Sequence, residues 1–107
     1  MQGRPARNPD ETPAMRRVRI TTKTVPPKEL FRDIAIEKWK HVCAVPVGFD
    51  ARRKLYIVAV ATEPLDHASA FMLDDVTFVT GLRTEPVLAS RASILRLLDS
   101  VDEGGLS

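Results

Sequence analysis

Polar and apolar positions alternate first near the start of the chain. Val18, Ile20 and Thr22 alternate with Arg17, Arg19 and Thr21, the period-two signature of a short half-buried strand with a basic outer face. Val25, Pro26 and Pro27 stop it, because proline lacks the N–H that a sheet ladder needs. Pro27 suits the first turn of a helix, and the period then changes. Leu30, Phe31, Ile34, Ala35 and Lys38 share one face of a helix over residues 29–40, with the lysine stem lying along its edge. Residues 42–47 and 55–61 are nearly continuous apolar runs of strand length, so helices should cover the sheet they form. The connection between them, GFDARRK, holds Gly48 and Asp50, which suit a turn.

The second half is punctuated more sharply. Pro64 closes off the strand, and Asp66 is placed to cap a helix by accepting from its free N–H groups. Ala68, Phe71, Met72 and Val76 recur at helical spacing. Gly81 supplies the left-handed position that ends many helices. Residues 83–89 are extended, and Ser90 caps a last helix whose buried side carries Ile94, Leu95, Leu97, Leu98 and Val101. The expected order is β-α-β-β-α-β-α, an α/β (α+β sandwich) fold with helices packed on a small mixed or antiparallel sheet. Phe71, Met72, Val76, Val45, Val58 and Leu98 are expected to share one core, since these elements have no other apolar faces to pair.

At 107 residues the chain holds one domain. Residues 1–16 carry three prolines, mixed charge and few large apolar groups, and are read as a disordered tail. Residues 17–101 form the domain and 102–107 a second tail. No stretch approaches the roughly 20 apolar residues of a membrane span, and the N-terminus has no apolar core of a secretory signal. The single cysteine, Cys43, sits in an apolar run and reads as a buried, inert thiol. A reducing, cytoplasmic setting is the expectation.

Candidate chemistry is sparse. His41 and Cys43 flank one residue of a strand-like run, yet two ligands do not make a site, and structural zinc wants four. His67 falls in the first turn after Asp66 and reads as solvated. Ser69, Ser90 and Ser93 have no base pattern beside them and no nucleophile elbow. Asp74 and Asp75 resemble a carboxylate pair, but adjacent helical side chains diverge by about 100°, which favours a solvated face. None of the five glycines begins the G-x-x-x-x-G-K-[ST] pattern that cradles nucleotide phosphates. The expectation is a non-enzyme that requires no metal or cofactor.

Charge adds one positive signal. Arg16, Arg17, Arg19 and Lys23 cluster on the first strand, and Arg52, Arg53 and Lys54 fill the hairpin turn. The functional reading is a site for a polyanion: nucleic acid, acidic lipid or a dinucleotide phosphate. The plainer reading is a solvated hairpin tip and an edge strand guarded by charge. A net charge of only +2 and six aromatic residues in all argue against a single-strand nucleic-acid platform, which wants exposed aromatics between its cations. Trp39 is the best single anchor for a protein partner, because large amphipathic aromatics dominate interface hot spots. Its alternative place is the edge of the core, closing the first helix.

The run EPLDHASAFMLDDVTFVTGLRTEPVLAS, with the Thr80-Gly81-Leu82-Arg83 and Glu85-Pro86-Val87-Leu88 segments its most specific parts, resembles one family. It is similar to the N-terminal domain of type II secretion and type IV pilus assembly ATPases, the GspE/PilB/MshE group. The resemblance runs from about Pro27 to Leu98, with Pro46-Val47 standing where the family has a Pro-Leu-like pair. It implies a docking or regulatory module whose ATPase motor is absent. The expected partner is a protein of secretion, pilus or motility machinery, or a signalling protein. Docking is expected through Arg17, Arg19, Lys23 and Trp39, with Arg52, Arg53 and Lys54 as the possible phosphate-binding set. The MshE subgroup implies cyclic di-GMP as an alternative ligand. That ligand relies on an arginine-leucine-glycine motif with spaced leucines, and nothing before Pro27 carries one. Where the second stretch of the motif wants Leu-Pro and then a small residue, this chain has Ile34-Ala35 and Trp39.

Overall fold

The structure is a computed structural model and describes residues 15–105. The element order is α1 (Glu29–Asp33), α2 (Ile36–Val42), β1 (Ala44–Asp50), β2 (Leu55–Val60), α3 (His67–Thr80), β3 (Arg83–Leu88) and α4 (Arg91–Ser100), with a π-helical turn over Val101–Gly105. The three strands form one sheet in the order β1-β2-β3. β1 pairs antiparallel with β2, and β2 pairs parallel with β3 across the α3 crossover, so the sheet is mixed. Pro46 is tolerated because β1 is an edge strand, and the register shifts between Pro46 and Gly48 as at a bulge.

The α+β fold and the element order agree with the sequence, while two elements are shorter than their patterns. The first strand contracts to a single parallel bridge, Arg17 to Leu88, held by Val18 N–H to the Leu88 carbonyl at 2.9 Å and Leu88 N–H to the Arg16 carbonyl at 2.8 Å. The threonines beyond it end the pairing. Thr21 N–H donates to Thr24 Oγ1 at 3.0 Å and Lys23 N–H to Thr21 Oγ1 at 3.1 Å, so hydroxyls fold the backbone into a turn where a ladder would continue.

The first helix divides into two. Ile34 is extended at φ −129°, ψ 119°, and Ala35 follows at ψ 143°. Leu30, Phe31 and Ile34 are buried, and so are Ile36 and Trp39. An unbroken helix would turn Ile36 about 200° away from Ile34. The break lets both side chains reach the core. It also leaves Lys38 in solvent, where its ammonium pairs with Asp75 of α3.

Local signals in the second half hold residue by residue. Asp66 accepts from Ser69 N–H at 2.8 Å and Ser90 from Ser93 N–H at 3.1 Å, the two helix caps. Gly81 stands at φ 74° and donates its N–H to the Thr77 carbonyl at 2.8 Å, closing α3. The face that α3 buries is another matter. Ser69, Met72, Leu73 and Val76 face inward, while Ala68 is exposed and Phe71 is 64% exposed. The helix is rotated by about one residue from the expected stripe. Phe71 is therefore not a core residue, whereas Met72, Val76, Val45, Val58 and Leu98 do share the core.

α2 touches both α3 and α4, α4 packs on β1 and β2, and α3 packs on β3. At the far end Lys40 reaches Asp99 at 3.3 Å and Asp102 at 2.9 Å. Asp102 lies in the π-helical turn over Val101–Gly105. The expected N-terminal tail, apart from Met15 and Arg16, and the last two residues lie outside the described residues.

Candidate functional site: a basic groove beside the last helix

The short bridge at Leu88 decides the site. Val18 and Ile20 turn inward and pack on the core as partly buried residues, which leaves Arg17 and Arg19 pointing to solvent. Beyond the bridge the chain runs beside α4. Two adjoining cavities open along this seam. One, of about 340 Å³, is lined by Arg17, Arg19, Ile20, Leu88 and the α4 cap residues Ser90 and Ser93. The other, of about 390 Å³, is lined by Ile20, Thr21, Thr24, Ser93, Arg96 and Leu97. Ile20 and Ser93 belong to both, so they form the saddle of one continuous groove. The part beside Leu97 is mainly apolar, the part beside Arg17 and Arg19 is more polar, and the rim carries hydroxyls and three guanidinium-bearing residues. Arg17, Arg19 and Arg96 make no ion pair among the described residues. Lys23 sits exposed in the threonine turn and lines neither cavity.

The second basic set stands elsewhere. Residues 51–54 form the turn between β1 and β2. Asp50 accepts from the N–H groups of Arg52 at 3.0 Å and Arg53 at 3.1 Å, and its other oxygen accepts from Arg53 Nε at 2.8 Å. Arg53 also donates to Glu85 at 2.8 Å. The Arg53 guanidinium holds the Asp50 carboxyl below the usual carboxylate range, and its own pKa is raised by the Asp50 bond. Arg53 is thus already occupied by two carboxylates, and a phosphate would have to displace them. Arg52 and Lys54 are exposed. Leu55 pairs with Arg83 at the start of β3, whereas Arg17 bridges Leu88 at its end, so the tip and the groove lie at opposite ends of that ladder.

Trp39 cannot be the partner anchor, because none of its surface is exposed. Its ring meets Phe31 edge-on at 6.0 Å and 72°, in the geometry aromatic quadrupoles prefer. Its Nε1 finds no hydrogen-bond partner among the described residues. The ring fills core volume beside Phe31. The break after Asp33 causes this burial, since α2 turns Ile36 and Trp39 inward together.

Other candidates disperse. Cys43 is buried and burial pushes its thiol up, while His41 on the neighbouring turn is exposed. Among the described residues no group of three metal-ligating side chains assembles. The sequence pattern marks Ser93 only as a hydroxyl without a base beside it, and Arg96 not at all. Their spacing of three, one helical turn, was the signal that could have placed them on one polar face.

The fold is a small α+β domain with a basic-rimmed seam between an edge bridge and its last helix. The chain belongs to the MshEN domain family, whose family model matches residues 14–107. A solved structure of MshE with cdg (cyclic di-GMP) shares the fold at a TM-score of 0.61 and 13% identity, over 80% of this chain. The chain spans 58% of that MshE chain. No curated protein matches it in sequence. Among the described residues no helix is long and apolar enough to cross a membrane.

Proposed function

We propose that this domain is a non-catalytic regulatory module that docks onto a protein partner through the basic groove. One observation carries the reading. Arg17, Arg19 and Arg96 stand without carboxylate partners among the described residues around a groove floored by Ile20 and Leu97. An acidic segment with an apolar side chain fits that chemistry, the charge steering its approach and the floor taking its anchor. Membership of a family that includes MshE supports a role beside secretion or pilus machinery, or with a signalling protein. The test is capture from native extract with wild type and Arg17→Glu/Arg19→Glu. The reversed variant should associate more slowly with the same partner, and with a weaker salt dependence. Equal recovery and equal kinetics would remove the groove from consideration. Salt-sensitive retention of DNA or RNA in place of a protein would replace this reading with nucleic-acid binding.

A second reading is favoured by the solved MshE complex: the module senses a cyclic dinucleotide. The missing arginine-leucine-glycine motif counts against it. Calorimetric titration with cyclic di-GMP at low salt separates the two. No heat of binding supports docking, and a dissociation constant in the low micromolar range or below supports sensing.

A further inference from the structure

The outward face of α3 is apolar where it should be polar. Phe71 and Phe78 are 64% and 87% exposed, and Val79 is exposed beside them. Phe31, Trp39 and Tyr56, by contrast, are all buried. Residues seven apart on a helix fall within about 20° of one line and roughly 10 Å along the axis. Phe71 and Phe78 therefore form a stripe rather than two scattered residues. A helix with apolar residues on both faces is normally covered on both. Among the described residues α3 is covered on one, the face that carries Met72, Leu73 and Val76.

Between the two phenylalanines stand Asp74 and Asp75, and the helix holds no lysine or arginine. Asp75 is paired with Lys38, but Asp74 is exposed and makes no ion pair among the described residues. This order of ring, carboxylate, ring specifies an occupant. A second copy of the chain fits badly. The midpoint of the stripe lies between Asp74 and Asp75, so a two-fold axis through it would bring the acidic residues of both copies together, and apposed like charges oppose association. An anionic lipid surface is repelled for the same reason.

We infer that the Phe71–Asp74–Phe78 face docks an amphipathic helix of a partner protein, one that sets a lysine or arginine between two apolar anchors. The rings supply desolvated contact area, as aromatic anchors do, and the carboxylate selects the cation between them. The mode is a helix laid against a helix face with anchors two turns apart. The surface is distinct from the basic groove and opposite to it in charge, so the domain can hold an acidic segment on one side and a basic one on another.

The probe is a labelled helical peptide with leucine at two positions seven apart and lysine between them, titrated against the full chain by fluorescence anisotropy. Its counterpart carries glutamate in place of lysine. The basic peptide should bind saturably, and the acidic one about tenfold or more weakly, the scale of one close charge pair. Asp74→Lys should reverse that preference. Phe71→Ser/Phe78→Ser should abolish binding of both peptides without moving the melting temperature, because neither ring is in the core. If that double variant fails to fold, Asp74→Lys alone still reads the charge selection. Equal binding of both peptides, absence of binding, or indifference to Asp74→Lys overturns the inference. So does a wild-type dimer in sedimentation that Phe78→Ser dissociates, or cosedimentation with phosphatidylglycerol vesicles that the serine variant loses. Arg17→Glu/Arg19→Glu should leave peptide binding unchanged, which separates failure here from failure of the groove.

Discussion

The Tyr56 hydroxyl donates to a Glu29 carboxylate oxygen at 2.8 Å, tying the second residue of β2 to the first turn of α1. The phenol is buried in the core, and its partner is anionic. Burial, followed by the Glu29 bond, pushes its pKa up to about 12. An unfolded tyrosine releases its proton near pH 10. Between the two values the unfolded state binds fewer protons than the folded one, so stability falls as pH rises through that window. Tyr56 is the only tyrosine. Its phenolate absorbance should therefore titrate near pH 12 in the folded chain and near pH 10 in denaturant. Tyr56→Phe should flatten the high-pH loss of stability. A folded-state midpoint near 10 would show that the phenol is not held as described.

Trp39 and Phe71 should exchange the roles that sequence pattern assigns them. Trp39→Ala empties a fully buried site between α2 and Phe31 and should cost about 3–5 kcal/mol, a large share of what a small domain has. Phe71→Ala removes a largely exposed ring and should stay within about 0.5 kcal/mol. Chemical denaturation of both variants distinguishes them, and a Phe71→Ala loss as large as that of Trp39→Ala would place α3 in the other rotation.

Gly81→Ala should destabilise α3 by about 1 kcal/mol. Space is not the cause, since a Cβ there would meet nothing within 4 Å. The cost is conformational, because φ 74° crowds a Cβ against the following carbonyl. Amide exchange at Thr77–Gly81 should quicken in step with the lost stability.

Charge reversal at the groove should act on rate before affinity. Arg17→Glu/Arg19→Glu should slow association with the captured partner while leaving dissociation nearly unchanged, because exposed charges steer encounter more than they hold a complex. Stopped-flow or surface-resonance kinetics at two salt concentrations measures this. An effect confined to the dissociation rate would mean the arginines are buried in the complex.

Acid should loosen the start of α3. The Ser69 backbone N–H holds the Asp66 carboxyl below its ordinary range. A depressed carboxylate contributes stability that is present above its unfolded pKa and lost as pH falls through the folded one. Amide protection at Ser69 and Ala70 should drop earlier on acidification than protection in α4, whose cap is the neutral Ser90.

Much of the molecule was legible because its signals are local. Asp66, Gly81 and Ser90 act on groups three or four residues away, so residue type and position nearly suffice to place them. The runs that became β1 and β2 are continuously apolar, and the turn at Asp50 carries its own acceptor. Strand, helix and strand then leave a parallel pair with a helical crossover as the natural arrangement of β2, α3 and β3. The family was legible too, through the Thr80–Arg83 and Glu85–Leu88 segments.

Tertiary structure decided everything that depends on which surface meets which. Ile34 and Ile36 differ in phase, yet only the presence of a core to bury both makes breaking the helix favourable. That break buries Trp39 and frees Lys38. α3 has apolar residues on both faces, so periodicity could not choose between them, and packing on β3 and α2 turned Phe71 and Phe78 outward. Arg53 was a free cation in sequence and is a bridging one in the fold, because Glu85 is brought to it from 32 residues away. Short-range hydrogen bonding is written residue by residue. Helix rotation and charge pairing are set by free-energy differences between alternative packings, which the order of residues alone does not display.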